Sequence, residues 1–187
     1  MLNTTRRDLR SHSRRNRPAA ALLTVFAASI LNFFSVAGAN MKTTIEKVEY
    51  KGWKNNLKLS NGEAELIITL DVGPRVIRYG YVGGANVFKE FDDQIGKSGE
   101  KEWMIRGGHR LWHAPEEIKR TYELDNSLVK WEKLGETGAR VIQDVEPNTG
   151  IQKEMDITLD VAGSGVKVVH RLRNANMWDV ELAPWAL

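Results

Sequence analysis

From residue 44 onward the hydrophobic side chains recur at every second position, and no stretch there carries them at the three-and-four spacing of an amphipathic helix. A period of two sends alternate side chains to opposite faces of an extended chain. The chain must therefore bury its apolar surface by stacking sheets. Turn-forming residues punctuate the pattern: Gly52, Ser60-Asn61-Gly62, Asp71-Val72-Gly73-Pro74, Gly83-Gly84 and Asn174-Ala175-Asn176. Between them the alternation predicts short strands over 45–50, 56–59, 63–70, 75–81, 86–88, 128–134, 140–145, 151–159, 166–173 and 180–187. Polar, glycine-punctuated loops are expected over 90–102 and from Pro115 to about Asn126. About ten short strands joined in this way describe an all-β fold, an antiparallel β-sandwich. In 75–77 the parity turns Val76 inward and Arg75 and Ile77 the other way. In 166–172, Val166, Val168, His170 and Leu172 share one face.

Residues 1–39 have a different character. Six arginines and one aspartate open the chain, an apolar run covers 19–36, and Ala37-Gly38-Ala39 offers small residues before a cut at Asn40. These are the three parts of an export signal. The expectation is a signal peptide over 1–39, a folded domain over 44–187, and a periplasmic or secreted product. Thr5-Arg6-Arg7-Asp8-Leu9-Arg10 is similar to a twin-arginine motif. Two alternatives stand beside it: an uncleaved membrane anchor, since the run approaches the ~20 residues a bilayer needs, and a cytoplasmic product started at Met41.

The leader also accounts for the charge. The chain has 27 basic and 24 acidic side chains; setting aside six Arg and Asp8 leaves 21 against 23, a net of −2. A mildly acidic folded part argues against a nucleic-acid partner, which calls for Lys and Arg clustered on the folded surface. Cysteine is absent, so disulfides, thiolate chemistry and Cys-based zinc sites are excluded.

The densest chemistry lies in Gly107-Gly108-His109-Arg110-Leu111-Trp112-His113-Ala114-Pro115-Glu116. Two of four histidines, an arginine, an aromatic and a carboxylate follow a glycine pair there. Titratable groups beside an aromatic face are what a polar-ligand pocket requires. His109, His113 and Glu116 are the candidate acid–base groups, because imidazoles titrate near neutrality and Glu116 is the nearest carboxylate. On a strand the two imidazoles share a face, about 13 Å apart at a rise of ~3.3 Å per residue. The H-x3-H spacing suits a metal on a helix, but Pro115 and the glycines oppose one, so no metal is expected and no cofactor is implied. Arg110 and Arg75 are candidates for paired hydrogen bonds to hydroxyls or a carboxylate. Trp103 and Trp112 are candidate faces for a sugar ring. His170 either lines the core with a hydrogen-bonded partner or faces a ligand groove.

Several motifs occur in order: Asn61-Gly62, Asp71-Val72-Gly73-Pro74-Arg75, Val82-Gly83-Gly84, the 107–116 stretch, Gly150-Ile151-Gln152-Lys153-Glu154 and Glu181-Leu182-Ala183-Pro184-Trp185. Through them, residues 45–187 resemble an uncharacterised bacterial branch of the galactose mutarotase-like superfamily. The resemblance implies a two-sheet β-supersandwich that binds a carbohydrate, with His109 helping to hold the sugar. It implies aldose 1-epimerase-like chemistry only if two further groups are supplied. Pro184-Trp185-Ala186 stands where the second histidine is expected, and the glutamate base would lie beyond Leu187. A non-catalytic carbohydrate-binding or structural sandwich is the alternative. The chain closes inside an apolar segment, so the expectation is that these residues form part of a longer domain.

Overall fold

The computed structural model describes residues 42–187; the leader read over 1–39 lies outside them. Ten strands and one helical turn occur among the described residues. In chain order they are β1 (Thr44–Tyr50), β2 (Trp53–Ser60), β3 (Ala64–Thr69), β4 (Arg75–Tyr81), β5 (His109–Ala114), α1 (Ile118–Thr121), β6 (Lys130–Leu134), β7 (Gly138–Ile142), β8 (Ile151–Leu159), β9 (Val166–Asn174) and β10 (Ala183–Ala186). All pairings are antiparallel. One sheet has the order β1-β2-β3-β4-β5-β10, the other β6-β7-β8-β9. The all-β sandwich read from the alternation is the fold.

Between the sheets lies the main core, where Leu57, Leu59, Leu66, Ile68, Val76 and Leu111 meet Val141, Met155, Ile157 and Leu159. Each such side chain contributes roughly 1.5–3 kcal/mol by leaving water. The six-stranded sheet is covered on its other face too. There Trp53, Ile67, Val72 and Ile77 pack with Ile95, which comes from the long loop before β5. Trp53 ties that loop down by donating from its indole nitrogen to the Lys97 carbonyl at 3.0 Å. Glu90 takes bonds from Tyr50 and Lys51, each at 2.7 Å. Double coverage explains why β3 is buried at all six positions, a pattern its continuous apolar run anticipates.

Two local expectations are corrected. Residues 86–88 form no strand, because Asn86 folds back on β4: its side chain accepts from Tyr79 N and donates to the Ile77 carbonyl. Local side-chain bonds of this kind compete with a ladder. The segment after Pro115 is not wholly loop, for α1 forms one turn capped by Glu117, whose carboxylate accepts from Lys119 N at 2.9 Å.

Candidate functional site

The glycine pair ahead of β5 is required by its surroundings. Gly107 and Gly108 have φ of 93° and 76°, and a Cβ on either would stand 1.9 Å from the Lys89 carbonyl oxygen or 2.5 Å from that of Val76. That close approach sets β5 against β4, pairing Arg110 with Arg75 and His109 with Val76. Beyond this, β5 pairs with β10, placing Trp185 opposite Trp112 and Pro184 opposite His113.

The strand therefore has two chemically distinct faces. Arg110 and Trp112 take the outer one. There the guanidinium of Arg110 stacks between the rings of Trp103 and Trp112, 5.0 and 4.5 Å from their centroids. Asp125 gathers three arginines: Arg75 at 2.7 Å, Arg110 at 3.3 Å and Arg106 at 3.5 Å. Arg106 also pairs with Glu100. Burial pushes the Asp125 carboxyl up, but the guanidinium of Arg75, followed by Arg110, outweighs it and holds the group at about 2. Burial lowers Arg110 to about 9 against the pull of Asp125. Arg75 is wholly enclosed, donating also to the carbonyls of Ile105 and Gly107. Of the two roles open to it, it fills the structural ion pair. Trp103 and Trp112 likewise spend their faces on Arg110, with Tyr122 edge-on to Trp103.

His109, Leu111 and His113 take the inner face, as parity requires. His109 Nε2 meets His170 Nε2 of β9 at 2.8 Å. Burial lowers both imidazoles, and for His109 the Leu187 backbone carbonyl pulls the other way. His170 thus has a hydrogen-bonded partner inside the sandwich, one of the two positions its alternation allows. The cavity beside the pair, about 190 Å³, is lined by Leu66, Val76, Tyr79, Phe88, Val166 and Val168. Such walls suit no polyhydroxylated ligand.

His113 has a different setting. Its Nε2 stands 3.7 Å from Oε2 of the enclosed Glu146, too long for a direct hydrogen bond. The ammonium of Lys153, also enclosed, makes an ion pair with Glu146 Oε1. Burial pushes the Glu146 carboxyl up; the adjacent His113 and the Lys153 ammonium overcome this, and the group lies below the usual carboxylate range. Lys153 belongs to the Gly150–Glu154 motif, so two motifs distant in sequence converge on Glu146.

In front of His113 opens a pocket of about 260 Å³, with Arg120, Asn148, Thr149, Ile151, Asn176, Trp178 and the 180–182 segment around it. Its frame is made by two linked turns. Asn176 donates to the Thr149 carbonyl at 2.9 Å, and Ala175 N donates to that of Gly150 at 2.9 Å. Asn174 accepts from Asn176 N at 3.0 Å and donates to the Trp178 carbonyl at 2.7 Å. The asparagines thereby fix Trp178, a residue that remains 63% exposed at the pocket. Asn148 spends its amide nitrogen on Glu123 and Asn176 on the turn, so their oxygens are what they offer a ligand. Arg120 is brought up by α1, where Thr121 bonds the His113 carbonyl at 3.3 Å.

Of the candidates read from the sequence, only His113 reaches this pocket. Glu116 stands outside it, bound to the Tyr122 hydroxyl. His109 and His170 face one another, while Arg75, Arg110, Trp103 and Trp112 belong to the outer cluster. Trp178, Arg120, Asn148 and Asn176 also line it, and they lie outside the stretches that the sequence marks as candidate sites. The available signal for Trp178 was an aromatic inside the polar turn Asn174-Ala175-Asn176-Met177-Trp178-Asp179, where no alternation calls for a core residue. Among the described residues no group of three His, Asp or Glu side chains is placed to hold a metal ion. No family model, curated protein or solved structure matches the chain.

Proposed function

We propose that this domain binds carbohydrate in the pocket in front of His113. One observation carries the reading: an exposed indole, that of Trp178, held by asparagine turns at the rim of a pocket whose lining mixes amide oxygens, Arg120 and Glu181. A flat aromatic packs on the C–H face of a pyranose, and amide and charged groups meet its hydroxyls. The resemblance to the mutarotase-like superfamily supports the same ligand class, and the signal-like leader supports an exported protein.

Binding is the core of the proposal. His113, with the Glu146 carboxylate behind it, adds a group able to exchange protons with a bound hydroxyl, so aldose epimerisation by the same pocket is the catalytic form of the reading. The test is calorimetric titration of aldoses and uronic acids against the wild type and Trp178→Ala, with polarimetry of anomeric interconversion in parallel. Loss of the stacking face, worth about 0.5–1.5 kcal/mol, corresponds to as much as about tenfold in affinity. Equal affinity for both proteins, or no sugar bound at millimolar concentration, overturns the proposal. Binding without accelerated interconversion leaves the non-catalytic form.

A further inference from the structure

His109 and His170 come from different sheets, yet their Nε2 atoms stand 2.8 Å apart. One nitrogen must donate and the other accept. Whichever ring donates, both Nε2 atoms point into the space between the sheets, so two imidazoles converge on one centre.

A third donor is in register. Met155 of β8 lies directly opposite His170 of β9 and is fully buried in the inter-sheet core. Directly opposed residues on one face of a sheet have Cβ atoms about 5 Å apart, within reach of a thioether. The cavity beside His109 is walled by Leu66, Val76, Phe88, Val166 and Val168, which bring no carboxylate, and Tyr79 gives its hydroxyl proton to the Ser164 carbonyl.

We propose that His109, His170 and Met155 form a binding site for a copper(I) ion. Imidazole nitrogens suit late first-row ions generally, and a thioether selects copper(I) among them. Apolar walls without oxygen donors disfavour harder divalent ions, which keep carboxylates or water. Bonds of about 2.0–2.1 Å at a tetrahedral angle put two nitrogens about 3.3 Å apart, so the rings need separate by only ~0.5 Å. Proton balance is simple: the ring that donates within the pair shifts its proton from Nε2 to Nδ1, and none is released. This site shares no residue with the sugar pocket and does not depend on that reading.

The test is anaerobic titration of the full chain with copper(I) against a chromophoric chelator, together with X-ray absorption of the loaded wild type. One ion per chain is expected, with a shell of two imidazole nitrogens and one sulfur. His109→Ala and His170→Ala should each weaken binding by more than about a hundredfold, beyond what losing a merely orienting residue costs. His12→Ala, in the leader, should leave it unchanged. Wild-type affinity in both imidazole variants overturns the proposal, as does a copper shell lacking imidazole or sulfur. Because the absorption measurement uses the wild type, it decides the matter even where a variant fails to fold.

Discussion

The two faces of β5 carry opposite kinds of chemistry on alternate residues of one short strand. Outward, Arg110 and Trp112 join a closed cluster in which one carboxylate, Asp125, faces three guanidiniums and two indoles wrap one of them. Inward, His109 and His113 stand in line with Leu111, each turned to a partner contributed by the second sheet or its turns. The outer groups hold the long loops before and after β5 onto the sheet, since Arg106 and Asp125 belong to those loops. The inner histidines border the cavities. A stretch that reads as one concentrated site is thus divided by the pleat into a half spent on a closed ion-pair cluster and a half that borders cavities.

Removing the shared carboxylate should break the outer face hardest. Asp125→Ala leaves three buried guanidiniums with Glu100 alone to balance them, and breaking a buried pair costs about 3–5 kcal/mol. A large fall in the melting temperature is expected; a melting curve like that of the wild type would show the cluster to be solvated.

On the inner face, Leu111→Ala should cost about 2–5 kcal/mol, because a fully buried leucine between two sheets leaves a cavity. Denaturant unfolding measures it, and a loss below 1 kcal/mol would mean that the sheets can close the gap.

Acid should act through the outer face next. Asp125 is held at about 2, below its unfolded value near 4, so its contribution is complete above pH ~4 and is lost as pH falls from there through 2. The shift corresponds to about 2 kcal/mol, and Asp125→Asn should lose that part of the acid dependence. An unchanged slope of stability against pH between 4 and 2 would contradict the ion-pair account.

The smallest effect sharpens the division. Glu116→Ala, although within the same stretch, should alter stability by no more than about 0.5 kcal/mol and leave the proposed sugar binding as it was, since the hydrogen bond its side chain makes goes to the Tyr122 hydroxyl at the surface. Calorimetric titration and thermal melts on one preparation read both quantities. A loss of sugar affinity here would return Glu116 to the site.

Much of this architecture was legible in the sequence. Alternation alone identified the sandwich and nine of its strands to within a few residues, and it placed Val76 inward and Arg75 outward. It also showed that His109 and His113 share a face and that His170 lies with Val166 and Val168. These are local properties: the pleat has a period of two, and turn residues such as Gly52 or Asn61-Gly62 act on their own backbone. The glycine pair at 107 and 108 was likewise visible, although the need for it, close approach to the carbonyls of Lys89 and Val76, was not.

Partnership was decided only by the tertiary structure. Nothing in the spacing of residues 109 and 170 says that their rings meet, because sheet-to-sheet contacts depend on which strands end up facing across the core. Asp125 lies in a stretch that reads as plain loop, yet folding brings it to three arginines at once. The same holds for Glu146 behind His113 and for Trp178, which sits in a polar turn and reaches the pocket because Asn176 binds the Thr149 carbonyl while Asn174 holds the Trp178 carbonyl. A chain's alternation determines which face a side chain takes. What waits on that face is set by contacts between residues far apart in sequence, and those exist only once the sheets have packed.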